Sequence, residues 1–299
     1  MKRVLIAGAT GYLGKYLVQS FKKERYYIRV LVRNEEKLAK QGPFLEPAVD
    51  HLVDDVFIGD VTNPNSLIGV CKGMDVVVSS VGLTRQKGNL TFHDVDYLGN
   101  LNLLNEAQKE QIQAFMYIHA CQAESFHNPI VDAKNQFVKK LKQSNLNYII
   151  IKPTGYFSDL SEILKMAQQG RVYLVGSGRQ KLNPIHGEDL ANYCVESITK
   201  HNTELEVGGP TTYRHEEIAN IAFQTLNQRR QIWHIPQKLI QATFPFLKLF
   251  SQRHYALVKF FYDGTNCDVI APSWGHKNLP SFYQDFINFQ KEQTTNEQT

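Results

Sequence analysis

The 299-residue sequence is poor in cysteine, and Cys71, Cys121, Cys194 and Cys267 stand in no CxxC or CxxH spacing. That argues against a zinc site and a disulfide framework, and predicts four free thiols in a reducing compartment. No stretch offers about 18 uninterrupted apolar residues, and the run after Lys2 and Arg3 stops at Gly8, too short for a signal-peptide core. These absences predict a soluble, cytoplasmic chain with no integral membrane segment. Charge of one sign is scarce too: 33 Lys and Arg against 29 Asp and Glu leave +4 with no long basic run, so nucleic acid is not implied. There is no internal repeat and no low-complexity linker. What is present, 42% hydrophobic residues, suffices to bury a large core.

Short β-branched runs alternate with helical stretches along the first half. RVLIAG is followed by a helix from Tyr12 to Lys23, YIRVLVR, a helix from Glu35 to Lys40, VFIGD, a helix near Ser66 to Lys72, and MDVVVSSVG. A long helix from about Asp94 to Gln111, AFMYIHA, a helix from about Val131 to Ser144 and NYIIIKP complete six candidate strands. The strands are continuously apolar, as they are when helices cover both faces of a parallel sheet, so the fold class is a doubly wound α/β sheet. After Pro153 the regularity fades into a smaller, mostly helical lobe with a helix near Ser161 to Gln169 and a run RVYLVG, and the last nine residues lack apolar anchors.

The strongest motif is VLIAGATGYLG, with Gly8, Gly11 and Gly14 between a strand and a helix. Gly8 permits a tight turn, Gly11 lets backbone approach a pyrophosphate, and Gly14 lets the helix pack closely on the strand. The amides of Tyr12 and Leu13 open the helix, where unsatisfied N–H groups favour a phosphate. This placement inside a βαβ unit predicts dinucleotide binding by a Rossmann-type domain over residues 1–155, with 177–200 returning to it. Residues 156–290 form the substrate or lid lobe and 291–299 a disordered tail.

The spacing GxxGxxG, with Thr10 before the second glycine, resembles the short-chain dehydrogenase/reductase superfamily. The phrases VRN, GDVTNP, VDYLGNLNLL and IIIKPTGYFSD resemble its atypical, NmrA-like branch, and the likeness spans roughly Met1 to Ile198. An NAD enzyme usually ends its second strand with an acid; here Arg33 stands there, and a guanidinium pairs with a 2′-phosphate, so NADP is the expected cofactor and NAD the alternative. The plainer reading of Arg33 is a surface residue beside a helix cap, Asn34. The resemblance further implies adenine contacts at Asp60 and Val61, phosphate and ribose contacts near Ser80, Val81 and Gly82, and a nicotinamide border at Pro153, Thr154, Gly155 and Tyr156. Tyr156 and Phe157 would line the substrate pocket.

Typical members of the superfamily pair a strand-five Ser with a Tyr and Lys spaced YxxxK on the next helix. Tyr148 to Lys152 matches YxxxK, but NYIIIKP reads as a strand, where i and i+4 lie about 13 Å apart rather than the roughly 6 Å of a helix. On the expected helix Lys134 matches the family lysine and Ile130 replaces the tyrosine. His119 aligns with the serine, as a proton donor or as a packed histidine. The resemblance thus implies Lys134 for ribose binding and catalysis, with His119 or water supplying the proton. In NPIHGEDLA, Asp189 reads as a structural cap and His186 as a weaker candidate for substrate contact.

Residues Ile240 to Phe261 are aromatic and basic, with Pro245 expected to interrupt any single helix. Such a stretch serves as a lid, an interface with another subunit, or a membrane-surface contact, the lid being its commonest use. The sequence therefore points to an NADP-dependent oxidoreductase that reduces a small hydrophobic, quinone-like or enone-like substrate. The alternative is a non-catalytic dinucleotide sensor or assembly factor with a protein partner.

Overall fold

The computed structural model describes residues 1–83 and 90–296. Strand β1 (Arg3–Ala7), helix α1 (Tyr12–Lys23) and strand β2 (Tyr27–Val32) form the first crossover unit. The chain continues through β3 (Asp55–Ile58), β4 (Val76–Ser79), α2 (Asn100–Lys109), β5 (Ala114–Ile118), α3 (Pro129–Lys142), β6 (Asn147–Pro153), α4 (Phe157–Gln168), β7 (Val172–Val175), β8 (Lys181–Leu182), α5 (Gly187–Ser197) and β9 (Thr203–Val207). Seven of these strands make one parallel sheet in the order β3-β2-β1-β4-β5-β6-β9. It is a Rossmann-type sheet, as the continuous apolar runs implied.

Because successive side chains of a strand point to opposite faces, each run feeds two cores. Val4, Ile6, Val30, Val78 and Ile149 pack with Leu17 and Phe21 of α1 and Leu190 and Cys194 of α5. Leu5, Ala7, Val77, Phe115 and Ile150 pack with Leu103 of α2 and Phe137 of α3. Helix α5 therefore lies beside α1, against the seven-stranded sheet. All four cysteines are free thiols.

The rest of the chain adds β10 (Tyr213–Arg214), α6 (His215–Thr225), β11 (Ile232–Ile235), α7 (Gln237–Phe250), α8 (Gln252–Asn266) and α9 (Leu279–Asn296). Strands β8 and β10 pair antiparallel, and β7 and β11 pair parallel. A separate apolar cluster joins Phe157 and Leu164 of α4, Ile218 and Phe223 of α6, and Phe282 and Tyr283 of α9.

Several local expectations are corrected. Between Ser66 and Lys72 there is only a 3₁₀ turn, Pro64–Leu67, and Glu35–Lys37 is likewise a 3₁₀ turn, started by the Asn34 side chain accepting from Glu36 N at 2.8 Å. The long helix expected from Asp94 opens with a π-helical stretch, His93–Gly99. Pro245 lies inside α7, and the break comes instead at Ser251, whose side chain caps α8. A seventh sheet strand, β9, was not anticipated. The tail at 291–299 is not free from its first residue: α9 runs on to Asn296, and 297–299 lie outside the described residues. Among the described residues no helix is long and apolar enough to cross a membrane.

Candidate functional site

The sheet order reverses at β1, whose Ala7 pairs with Ser79 of β4, so the residues that follow the two strands flank one crevice. Gly8 has φ +87°, and a Cβ there would stand 2.7 Å from Ser80 Oγ. At Gly14 a Cβ would lie 2.0 Å from the Gly8 carbonyl oxygen, so α1 rests directly on the turn. At Gly11 a Cβ would meet only that oxygen, at 3.3 Å, and the surface beyond is open. Gly11 N donates to Gly8 O at 3.0 Å, and α1 has no capping side chain for the amides of its first turn. A bare turn over an uncapped helix N-terminus fits a pyrophosphate. Thr10 and Tyr12 are half-buried beside it, and the Leu13 side chain is core.

The crevice continues past β2 and β3. The Arg33 side chain is 69% exposed, its guanidinium 3.9 Å from Asp60 Oδ2. Asp60 Oδ1 accepts from Thr62 N and Oγ1, which fixes the carboxylate in a turn, and Asn102 Nδ2 donates to Val61 O at 2.9 Å. Ser80 N donates to Ala7 O, and Val81 N bonds Ser79 Oγ. Thr154 Oγ1 donates to Asn183 O at 2.6 Å, and Ile185 N donates to Gly155 O, so the turn after Pro153 is tied to the smaller lobe.

Between these ends lies a buried charged group. Lys134 Nζ, on α3, is 3.1 Å from Asp96 Oδ1 and 3.5 Å from Tyr117 Oη of β5. Asp96 Oδ2 accepts from Leu83 N at 3.0 Å, and a Cβ on Gly82 would stand 2.8 Å from Asp96 Oδ1 and 3.1 Å from Lys134 Nζ. Burial alone would lower the Lys134 pKa, but the Tyr117 oxygen and the Asp96 carboxylate outweigh it and hold the ammonium above the ordinary lysine range. Burial raises Tyr117 to about 12 despite the opposing pull of Lys134. Asp96 and Tyr117 were missed in the sequence. Tyr117 shares a strand face with Phe115 and His119, which was a usable signal; Asp96 had none, because its placement depends on the π-helical stretch. Asn100 holds that stretch against β4, donating from Nδ2 to Asp96 O and Val81 O and accepting from Ser79 Oγ.

His119 is 4% exposed, and burial, then the Lys134 charge, lowers its pKa to about 4. Its Nε2 lies 2.9 Å from Asn135 Oδ1, and Asn135 Nδ2 donates to Ala123 O, so Nε2 carries the proton and gives it to Asn135. Nδ1 has no partner among the described residues. His119 is thus a neutral, packed ring, not positioned as a proton donor. His186 is also structural: its Nδ1 caps α5 by accepting from Glu188 N, amid the rings of Tyr12, Tyr16, Phe157 and Phe282. Asp189 caps a different segment, accepting from the amides of His276 and Lys277. Tyr148 and Lys152 lie on β6, where Lys152 pairs with Glu124 and Glu204, so they form no catalytic couple. Tyr156 is half-buried, its ring 5.9 Å from that of Tyr12; burial raises its pKa and the Lys134 charge opposes the rise. A cleft of about 840 Å³ between the end of α1 and α5, lined by Lys23, Asn192 and Trp274, holds none of the cofactor-binding candidates.

Comparison with known proteins agrees with this fold. The photosystem II assembly factor Ycf39 of Trieres chinensis is 27% identical, over 82% of this chain and 76% of that protein. The chloroplastic divinyl chlorophyllide a 8-vinyl-reductase of Zea mays is 24% identical, over 95% of this chain and 76% of that protein. An NADPH-dependent quinone oxidoreductase of Escherichia coli, solved with NADPH, has the same fold: its TM-score is 0.73 at 17% identity, over 95% of this chain and all of that one. The NAD(P)H-binding family model matches residues 8–201, from the first glycine of the turn to just past α5. The chain therefore belongs to the NAD(P)H-binding family, in the atypical, NmrA-like part of the short-chain dehydrogenase/reductase superfamily.

Proposed function

We propose that the protein is an NADPH-dependent oxidoreductase that reduces a small, hydrophobic, conjugated acceptor of the enone or quinone type. The observation that carries this reading is the buried Asp96–Lys134–Tyr117 group beside the bare backbone of Gly82. The bound nicotinamide supplies a hydride, and reduction of the acceptor takes up one proton besides. The turn Gly8–Gly14 holds the pyrophosphate, and Arg33 pairs with the 2′-phosphate. Asp60 and Val61 border the adenine, Ser80, Val81 and Gly82 the phosphates and ribose, and Pro153, Thr154 and Gly155 the nicotinamide. Lys134, kept cationic by its two partners, hydrogen-bonds the nicotinamide ribose. Tyr156, half-buried in the turn after β6, donates the proton to the acceptor; burial raises its pKa and the Lys134 charge, which opposes that rise, favours the phenolate left behind. Water then reprotonates it. The names of the vinyl-reductase and the quinone oxidoreductase support the acceptor class.

The second reading is a non-catalytic NAD(P)-binding assembly factor. One observation favours it: Ile130, at the place of the family tyrosine, is buried with Phe92, Ala133 and Ala256, so α3 offers no proton donor next to Lys134. The name of the Trieres relative points the same way.

Titration with NADPH and NADH, then nicotinamide absorbance after adding quinones and enones, separates the two. The enzyme reading expects oxidation that requires an acceptor and falls at least about a hundredfold in Tyr156→Phe, with NADPH affinity kept. Acceptor-independent behaviour across the panel, with tight NADPH binding, supports the assembly factor. Arg33→Ala is expected to weaken NADPH about tenfold and leave NADH unchanged; equal losses would remove the 2′-phosphate contact.

A further inference from the structure

Residues 218–262 contain no Asp or Glu, yet they hold six Lys or Arg and most of the exposed large apolar side chains of the smaller lobe. Their core is the hairpin of α7 and α8. One face of α7 is used inside the hairpin. Ile240, Phe244 and Leu247 are half-buried, and Phe244 makes edge contacts with Tyr255 and Tyr262 of α8, at 6.0 and 5.2 Å. Helix α8 is in turn anchored on α3: Ala256 is buried against Ile130 and Ala133, and Asn128 Nδ2 donates to Asp263 Oδ2 at 3.0 Å.

The opposite face of α7 carries a second, exposed apolar stripe. Leu239, Ala242, Phe246 and Leu249 follow helical spacing, i, i+3, i+7 and i+10, and all are exposed, Phe246 at 69% and Leu249 at 78%. Phe250, 77% exposed, stacks on Phe246 with ring centroids 6.3 Å apart. No residue of α7 is buried. Lys238 and Lys248 on α7 and Arg253 in the first turn of α8 are exposed and form no ion pair among the described residues; Arg230 and Lys259, by contrast, are neutralised by Glu216 and Asp263.

We propose that the α7–α8 hairpin docks on an anionic lipid surface, with α7 lying in the plane of the headgroups. Charge complementarity selects this occupant. The stripe needs an apolar medium, the exposed cations of the hairpin need negative charge, and a bilayer rich in anionic headgroups presents the two side by side over the length of a helix. A second copy of the same hairpin would set Lys238, Lys248 and Arg253 against their own kind. The helix is too short and too polar to span the bilayer. The α7–α8 hairpin holds none of the residues assigned to the cofactor or to proton transfer, so lipid binding is independent of the redox reading.

The test is cosedimentation of the full chain with vesicles of phosphatidylcholine alone and of equal parts phosphatidylcholine and phosphatidylglycerol. Binding to the mixed vesicles is expected to exceed that to the neutral ones by at least about tenfold and to be reversed by salt. Phe246→Ser with Leu249→Ser, and separately Lys248→Glu with Arg253→Glu, are expected to lower it about tenfold each, with circular dichroism and NADPH affinity unchanged. A Phe246→Trp variant is expected to gain fluorescence that brominated lipid quenches, beyond the response of Trp233 and Trp274 in the parent. Equal sedimentation with both vesicles, undiminished binding by both double variants, or an unquenched Phe246→Trp overturns the proposal. So does a concentration-dependent dimer lost in the Phe246 and Leu249 variant without vesicle binding, since that assigns the stripe to a second copy.

Discussion

Gly11 and Gly14 sit three residues apart in one turn, yet the space around them differs. A methyl on Gly14 would occupy the position of the Gly8 carbonyl oxygen, 2.0 Å away, and that neighbour is backbone that cannot swing aside. Gly14→Ala is expected to push α1 off the turn and cost roughly 1–3 kcal/mol or more, read as a lower urea midpoint. At Gly11 the backbone has φ −85° and ψ 173°, which alanine adopts freely, and the methyl would touch only one atom at 3.3 Å. Gly11→Ala is therefore expected to leave the midpoint within about 0.5 kcal/mol while weakening NADPH at least tenfold, because its methyl would stand on the open surface of the turn proposed to hold the pyrophosphate. Unchanged affinity in Gly11→Ala would mean that the pyrophosphate does not lie on this turn. The tight turn at Gly8 and the close packing at Gly14 were legible in the sequence because the motif is local: strand, three glycines and helix follow one another, and only backbone geometry decides.

Legibility falls off where a side chain is placed by elements far apart in the chain. Lys134 was readable from its helix position, but the residue that holds it, Asp96, enters through a π-helical stretch whose wider turn has no sequence signature. The strands were legible as apolar runs. Strand β9, TELEV, was not, because it lies on the sheet edge and alternates, with Glu204 and Glu206 directed away from the core. Pro245 misled because proline removes one amide yet α7 continues through it, packed on α8 by Phe244. The Asp96–Lys134 link is testable as an inter-element contact. Asp96→Asn keeps the acceptor for Leu83 N but leaves the ammonium without its counter-charge, and is expected to cost about 3 kcal/mol. Adding Lys134→Met is expected to return part of that loss, for a coupling of about 2 kcal/mol in a denaturation double-mutant cycle. Simple additivity would mean that the two groups do not meet.

At the scale of the whole molecule, the aromatic seam between the dinucleotide sheet and the smaller lobe makes the fold sensitive to acid. His186 sits in that seam as the cap of α5, and His119 sits at the end of β5; burial, ahead of nearby positive charge, lowers each to about 4. His215, at the start of α6, is lowered too, again by burial. In the unfolded chain these rings bind protons near the ordinary value of about 6.5. Between about pH 6.5 and 4 the unfolded state thus holds more protons than the folded one, and stability falls as the pH is lowered through that window. The stabilisation is fully present above it. Each of His119 and His186 is expected to remove about 2 kcal/mol by about pH 5. Asparagine at 186 caps a helix as well as histidine does but does not titrate, so His186→Asn is expected to fold at about pH 7 and to lose about 2 kcal/mol less than the parent between about pH 7 and 5. Urea titrations at the two pH values measure this. If variant and parent lose the same amount, the seam does not hold His186 neutral, and its ring is open to solvent in the folded protein.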